Sequence, residues 1–367
     1  MIYNEVIYSI FKSVNNLPRF FSCSWSVYRS DKKAHSLPFR IQIENSTICN
    51  LGCQMCPLKE MKRTKGMMSF SVFRRIFDEI RPGYLNLTGY GESFLNPDIL
   101  KMVRYAKKFK TYTKFDTNGT VLNKKRIMET LDSGLDLISF SIDAADRKTY
   151  LKIRRADKFE KVIENLRLLV ERRDSLKKTL KIHVAIVVQE DNLKDLIKFI
   201  KLMDQIGVDK VNPTPVIEYD ISQNKKYKID KYSQVVKELL SEYLKISKFL
   251  SVDCDVSSLE RFLSYKNGKV SESRNCFVPW ESSYIAWNGD VFPCCYYYDG
   301  QICFGNIFKQ SFREIWNSQQ YQSFRQSLFH RRNSLPICRN CEMNEKYIFS
   351  KINLLKSVPL LGLLTQR

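Results

Sequence analysis

The sequence predicts an α/β fold: six strand-then-helix units in series, then a small cysteine-rich domain. Three observations predict it. Short apolar runs alternate with longer helical patterns from Pro38 to about residue 216, which implies a parallel sheet with crossover helices. Cysteines and aromatic residues crowd the chain from Cys276 onward, with turn signals at Asn288-Gly289 and Asp299-Gly300. Hydrophobic residues make up 44% of 367 residues, enough to bury a core in one large domain or two.

Taken in order, residues 1–37 form an extension. In it Ile2, Val6, Ile7, Ile10, Phe11 and Val14 fall near helical spacing. Such a helix docks on the protein or touches a membrane; docking is preferred, because one weakly basic helix is a poor anchor. Within residues 38–216 the candidate strands are 40–44, 84–88, 113–117, 137–142, 181–188 and 210–213. The helical patterns between them are 71–80, 97–109, 124–133, 159–175 and 192–206, with Ser69 or Ser71 placed to cap the first. An open sheet and a partial (β/α)6 TIM-like barrel both fit, and either puts chemistry at the carboxyl ends of the strands. Residues 217–270 read as a polar linker and a helix over 235–247. Residues 271–345 read as a metal-stapled domain, and 346–367 as an apolar tail with Leu354, Leu355, Leu360 and Leu361 around Pro359.

Lys and Arg total 60 against 39 Asp and Glu, a net charge of +21. That excess fits an anionic partner (nucleic acid, an acidic membrane surface or a phosphorylated substrate) or a basic solvated surface. No apolar run approaches the ~20 residues that span a bilayer. Asn4 and Glu5 interrupt what would be a signal-peptide core. The expected location is therefore the reducing cytoplasm, with contact at a membrane surface as an option. There, clustered cysteines among the eleven are metal ligands or catalytic groups more often than disulfides.

Directly after the first strand comes Cys49-x3-Cys53-x2-Cys56. Three thiolates in one loop can converge on three irons of a cubane. A cubane normally takes four, so one iron is left open to a ligand. Gly52 lets the loop fold tightly. A zinc site short of its fourth ligand is the plainer alternative. The second set is Cys276, Cys294 and Cys338-x2-Cys341, which by spacing suits a cubane or a tetrahedral zinc ion equally.

At the first triad the chain resembles the radical S-adenosylmethionine (SAM) superfamily, over about residues 38–215. The resemblance implies a partial barrel in which Cys49, Cys53 and Cys56 hold a [4Fe–4S] cluster whose open iron chelates SAM. The reduced cluster then cleaves SAM to methionine and a 5′-deoxyadenosyl radical, which takes a hydrogen atom from the substrate. Met55 occupies the position whose backbone contacts the adenine. Gly89-Tyr90-Gly91-Glu92 resembles the Gly-Gly-Glu motif that receives the SAM ammonium group, with Tyr90 in place of a Gly and Ser93 in place of Pro. Asn118, in Thr117-Asn118-Gly119, matches a turn near the ribose. Ser141 and Arg154 match residues that hold the SAM carboxylate and ribose, where the planar guanidinium gives paired hydrogen bonds. Each match is weak alone; one per strand end, in order, carries weight.

The C-terminal segment resembles the SPASM and twitch auxiliary-cluster domains. Only Cys338-x2-Cys341 remains of their longer cysteine run. The resemblance thus implies one auxiliary [4Fe–4S] cluster, closer to the twitch type, on Cys276, Cys294, Cys338 and Cys341, with Cys295 as a substitute for Cys294. Gly305-Asn306 and Ile315-Trp316-Asn317 resemble the connecting segment. The implied reaction is oxidation of a small polar or sugar-like substrate with the auxiliary cluster as electron acceptor. A flavodoxin or ferredoxin would be the electron donor. Only about 38 residues precede the barrel, too few for a leader-binding domain, which tilts the expectation from peptide to small molecule. Epimerisation and peptide modification stand behind oxidation. Cys23, Cys254, Cys295 and Cys303 read as buried small hydrophobes, unless one donates a hydrogen atom to a substrate radical. A zinc-stapled nucleic-acid binder is the alternative of another class, and it leaves the triad and Glu92 unexplained.

Overall fold

A computed structural model describes residues 16–29, 31–216, 229–266, 276–339 and 341. The helical pattern at residues 2–14, most of the polar linker and the leucine-rich tail lie outside them. Helix α1 (Asn16–Tyr28) leads into β1 (Arg40–Ile43). The repeating part follows: α2 (Phe70–Ile80), β2 (Tyr84–Asn86), α3 (Ile99–Lys107), β3 (Tyr112–Thr117), α4 (Lys124–Leu131), β4 (Leu137–Ser141), α5 (Arg147–Arg154), α6 (Phe159–Ser175), β5 (Lys181–Val188), α7 (Leu196–Ile206) and β6 (Lys210–Pro215). The caps are local chemistry. The Ser69 hydroxyl accepts from the Val72 amide at the start of α2, Asn123 from Arg126 at α4, and Asp146 from Thr149 at α5.

Strand β6 runs two residues beyond its expected end and includes Pro213 and Pro215. Its far half tolerates them because β7 pairs only with Lys210 and Val211, so beyond these β6 is an edge that needs no donor. The expected linker-and-helix region is richer than its sequence pattern. It holds α8 (Ser233–Ile246), the two-residue strand β7 (Asp253–Cys254) and α9 (Ser257–Lys266). Strands this short carry no readable periodicity.

The C-terminal segment adds α10 (Val278–Glu281), β8 (Tyr284–Ile285), β9 (Asp290–Phe292), β10 (Gly305–Asn306), α11 (Phe312–Trp316), α12 (Gln319–His330) and α13 (Pro336–Arg339). It does not form a sheet of its own. One ten-stranded sheet runs β10-β9-β8-β1-β2-β3-β4-β5-β6-β7. Strand β8 lies parallel to β1 (Gln42 opposite Tyr284), and β9 and β10 follow as an antiparallel meander. The seven strands from β1 to β7 are parallel throughout.

The sheet has two different faces. Phe115 on β3 is fully buried among the covering helices, with Phe73, Phe77, Val103 and Phe199. Its neighbours Lys114 and Asp116 are partly exposed on the inner face. Polar inner positions leave the barrel open rather than filled, which makes room for a ligand at one end. The opposite end is closed by α1, whose Cys23 packs with Phe39, Tyr84, Tyr112 and Leu137 at the starts of the first four strands. The C-terminal segment is tied back to this end. The Trp280 indole donates to Asp31 O (2.6 Å), Trp316 donates to Ser36 O (2.9 Å), and Arg325 lies over the Trp316 ring at 4.4 Å.

Candidate active site at the carboxyl ends of the strands

Cys49, Cys53 and Cys56 meet in a cavity of about 330 Å³ at the carboxyl ends of the strands. The six residues expected to contact SAM line the same cavity: Met55, Gly91, Glu92, Asn118, Ser141 and Arg154. They come from the loops after β1, β2 and β3, from the last residue of β4 and from the end of α5, so the fold concentrates what the sequence spreads over about a hundred residues.

The sulfurs are surrounded by donors. The Leu51 and Leu58 amides hydrogen-bond to Cys49 and Cys56. Arg154 Nη1 lies 3.5 Å from Cys53 Sγ, and Asn118 Nδ2 lies 3.9 Å from Cys49 Sγ. Donors aimed at each sulfur stabilise thiolates, the form that ligates iron. Burial opposes this, raising the Cys49 thiol and pushing Cys56 up to about 12.

Two glycines shape the loop after β2. A Cβ on Gly89 would sit 2.4 Å from Glu44 Cγ and Ser46 O; one on Gly91 would sit 2.6 Å from Ile48 O and 2.7 Å from Ile48 N. The backbones touch there, and backbone cannot rotate away. Gly91→Ala is therefore expected to cost about 1–3 kcal/mol by overpacking and to weaken SAM binding, read from a urea melt and equilibrium dialysis of the same preparation.

Glu92 is 2% exposed. Its carboxylate accepts from the Phe94 amide (3.0 Å), the Thr117 hydroxyl (2.7 Å) and the Asn118 amide (2.6 Å). Burial raises its pKa, and these three donors pull the other way. Glu92 thus stitches the β2 loop to the end of β3, a structural job the motif alone did not disclose. Arg154, at the end of α5, pairs with Asp143 at 2.7 Å. Burial by itself would lower the Arg154 pKa, but Asp143 and Cys53 outweigh it and the net shift is upward. The cysteine loop is fastened by Gln54, whose amide donates to Ile153 O (2.9 Å) and whose side chain reaches Asp191 (2.8 Å).

Three site residues went unassigned in the sequence. Asp143 sits two positions past Ser141, on the same side of the strand end, which was its only signal. Asp116 lines the cavity from β3. Tyr90 replaces a motif glycine, and the structure shows where that ring goes. It lines the cavity, packs on Tyr298 at 4.8 Å between ring centres, and donates its hydroxyl to Cys295 O at 2.8 Å. The two cysteine regions therefore adjoin. Glu44, at the end of β1, reinforces the junction by accepting from Arg63, from the Tyr284 hydroxyl (2.6 Å) and from the Trp287 amide (3.2 Å).

In the second region Cys295, Cys276, Cys341 and Cys338 lie near enough to Cys294 to act on its charge. Burial first, then these four neighbours, raise the Cys294 thiol far above its ordinary range. Five cysteines thus gather where four were expected to ligate. The Tyr297 hydroxyl contacts Cys338 Sγ (3.2 Å), and Arg332 donates to Cys338 O (3.0 Å) and Cys341 O (3.2 Å). Gly289 turns the β8–β9 hairpin at φ 84°, where a Cβ would strike Ile307 and Phe308. Of the other cysteines, Cys23 and Cys254 are buried as expected, while Cys303 is exposed, correcting its reading as a core residue. It lies just before β10, at the edge of the sheet. None of Cys23, Cys254, Cys295 and Cys303 lines the cavity.

Comparison with known proteins agrees with this geometry. The radical SAM superfamily model matches residues 43–203, and the SPASM iron–sulfur cluster-binding domain model matches residues 276–342. A tungsten-containing aldehyde ferredoxin oxidoreductase cofactor-modifying protein of Pyrococcus furiosus is 25% identical over 335 residues, covering 85% of this chain and 89% of its own. An AdoMet-dependent heme synthase of Methanosarcina barkeri is 24% identical, covering 78% and 85%. Among solved structures, Streptococcus suis SuiB bound to S-adenosylmethionine has the same fold (TM-score 0.64, 17% identity, 84% of this chain and 72% of that one). The chain belongs to the radical SAM superfamily: it is an enzyme with a SAM-binding [4Fe–4S] cluster in a partial barrel and a C-terminal SPASM-type auxiliary iron–sulfur domain.

Proposed function

We propose that the enzyme oxidises a small polar or sugar-like substrate, with Cys49, Cys53 and Cys56 holding the SAM-cleaving cluster and Cys276, Cys294, Cys338 and Cys341 holding the auxiliary one. The observation that carries this is the single cavity shared by the cysteine triad and the residues expected to contact SAM. When bound, the cluster and SAM supply the hydrogen-abstracting chemistry. The chain's own residues bind and orient. The Arg154 fork serves the SAM carboxylate, Asn118 and Ser141 the ribose, Met55 the adenine, and the Gly91–Glu92 loop the ammonium group. Beyond these, Thr88, Asp116 and Thr214 line the cavity and offer hydroxyls and a carboxylate to a polar substrate. Electrons come from a flavodoxin- or ferredoxin-type donor in a reducing compartment.

A second reading is modification of a peptide or of a protein-bound cofactor. It draws on the Pyrococcus relative's description and on a SuiB structure solved with its precursor peptide. Epimerisation is the third reading, with one of Cys23, Cys254, Cys295 and Cys303 as the hydrogen-atom donor. The test is an iron, sulfide and zinc assay on anaerobically reconstituted protein, with electron paramagnetic resonance of the reduced form. About eight irons per chain, and one signal that shifts when SAM is added, are expected. In Cys338→Ala/Cys341→Ala, the SAM-responsive signal and SAM cleavage without substrate should survive while about half the iron is lost. Four irons and one zinc in the parent would make the second site structural and end the acceptor reading.

A further inference from the structure

Helix α1 packs Leu17, Phe20 and Cys23 inward and leaves a second, aromatic side in solvent. Its buried residues are Cys23, Ser24, Ser26 and Val27, whereas its solvent side carries Phe21, Trp25 and Tyr28, which are 42%, 53% and 72% exposed. Spacings of four and three put these rings on one face. No acidic residue occurs in the helix. Trp25 and Tyr28 stack at 5.9 Å, and the Arg29 guanidinium lies 5.9 Å from the Trp25 ring.

Cations carry the face past the end of the helix. Exposed Lys32 and Lys33 follow α1, and the carboxylate before them, Asp31, is engaged by His35 (2.7 Å) and Arg29 (3.7 Å). Phe21, Trp25 and Tyr28 with Arg29, Lys32 and Lys33 therefore form a patch of exposed rings beside cations at one end of α1. Because α1 covers the starts of the strands, the patch lies at the end opposite the cysteine cavity. A partner bound here leaves the cavity accessible.

We propose that this aromatic, basic face of α1 rests on an anionic lipid surface. Indole and phenol rings partition to the headgroup level, with an apolar body and a polar edge. Flanking Lys and Arg add attraction to acidic lipids, and a net charge of +21 supplies long-range steering. An acidic protein surface would satisfy the cations but would leave rings this exposed without apolar cover. The inference is independent of the redox reading, and its test has a separate readout.

Full-length, reconstituted enzyme is floated with vesicles of phosphatidylcholine alone and of phosphatidylcholine mixed with phosphatidylglycerol. Binding to the mixed vesicles only, weakened by added salt, is expected. Phe21→Ser/Trp25→Ser/Tyr28→Ser should weaken that binding by about tenfold or more, with melting temperature and SAM cleavage as in the parent. Lys32→Glu/Lys33→Glu should weaken it too. The proposal is overturned if the parent binds neither vesicle or both equally, or if the serine variant binds like the parent. It is also overturned if removing residues 1–15 abolishes binding while the serine variant keeps it. A dimer broken by the serine variant, with no vesicle binding, would make the face a contact between copies and likewise overturn it.

Discussion

Replacing Cys49, Cys53 and Cys56 together by Ala should lower SAM cleavage by the reduced enzyme at least about a thousandfold and remove about four irons per chain. The expectation follows from the cavity. The triad sulfurs are each met by a backbone or side-chain donor, and all three line the space where the residues expected to contact SAM converge. Removing the thiols deletes the electron source for cleavage, while Arg154, Asn118 and the Gly91–Glu92 loop remain. SAM affinity should therefore fall less than turnover, and counting 5′-deoxyadenosine beside equilibrium dialysis separates the two. The loop's other fastenings, Gln54 to Ile153 and to Asp191, survive the change, so the fold should hold. A triple variant that still produced 5′-deoxyadenosine would remove the triad from the mechanism.

Arg154→Met should destabilise the enzyme by about 3–5 kcal/mol, because it strands a buried carboxylate. The Arg154 and Asp143 side chains are 7% and 0% exposed, and their atoms lie 2.7 Å apart. Asp143 keeps only the Val187 amide (2.8 Å) as a compensating donor, and burial already raises its pKa. The double variant Arg154→Met/Asp143→Leu should recover most of that loss, since no unpaired charge remains inside. It should not recover SAM binding if the guanidinium holds the SAM carboxylate as proposed. Urea midpoints for the three proteins and dialysis with SAM distinguish the roles. If the double variant regained SAM affinity, Arg154 would be an internal counter-ion only. If the single variant lost no stability, the pair would not be buried as the geometry has it.

Strand β5 and helix α6 stand where the periodicity put them, residue for residue, because each is long enough to repeat its pattern several times. Helix α5 went unseen: eight residues, four of them basic, show little apolar stripe, yet Asp146 caps it and Ile153 and Tyr150 are fully buried. Strands β7, β8 and β10 have two residues each, too few for any periodic signal. Tyr90 was legible only as a departure from a motif, since its partner Cys295 lies 205 residues away.

By itself the sequence determined the class of chemistry. Three thiols spaced in one loop, a carboxylate and glycines in the next, and one polar motif per later strand end are local features; spacing alone leaves zinc open, and it is the resemblance of these motifs, in order, to one family that names the chemistry. Only the tertiary structure decided that the cysteine-rich segment joins the barrel's own sheet, that Glu44 meets Tyr284 across 240 residues, and that Cys295 gathers with the four expected ligands. It also turned α1 so that its rings face outward. Such contacts depend on which surfaces pack together after the chain collapses, and no short window of sequence contains that information.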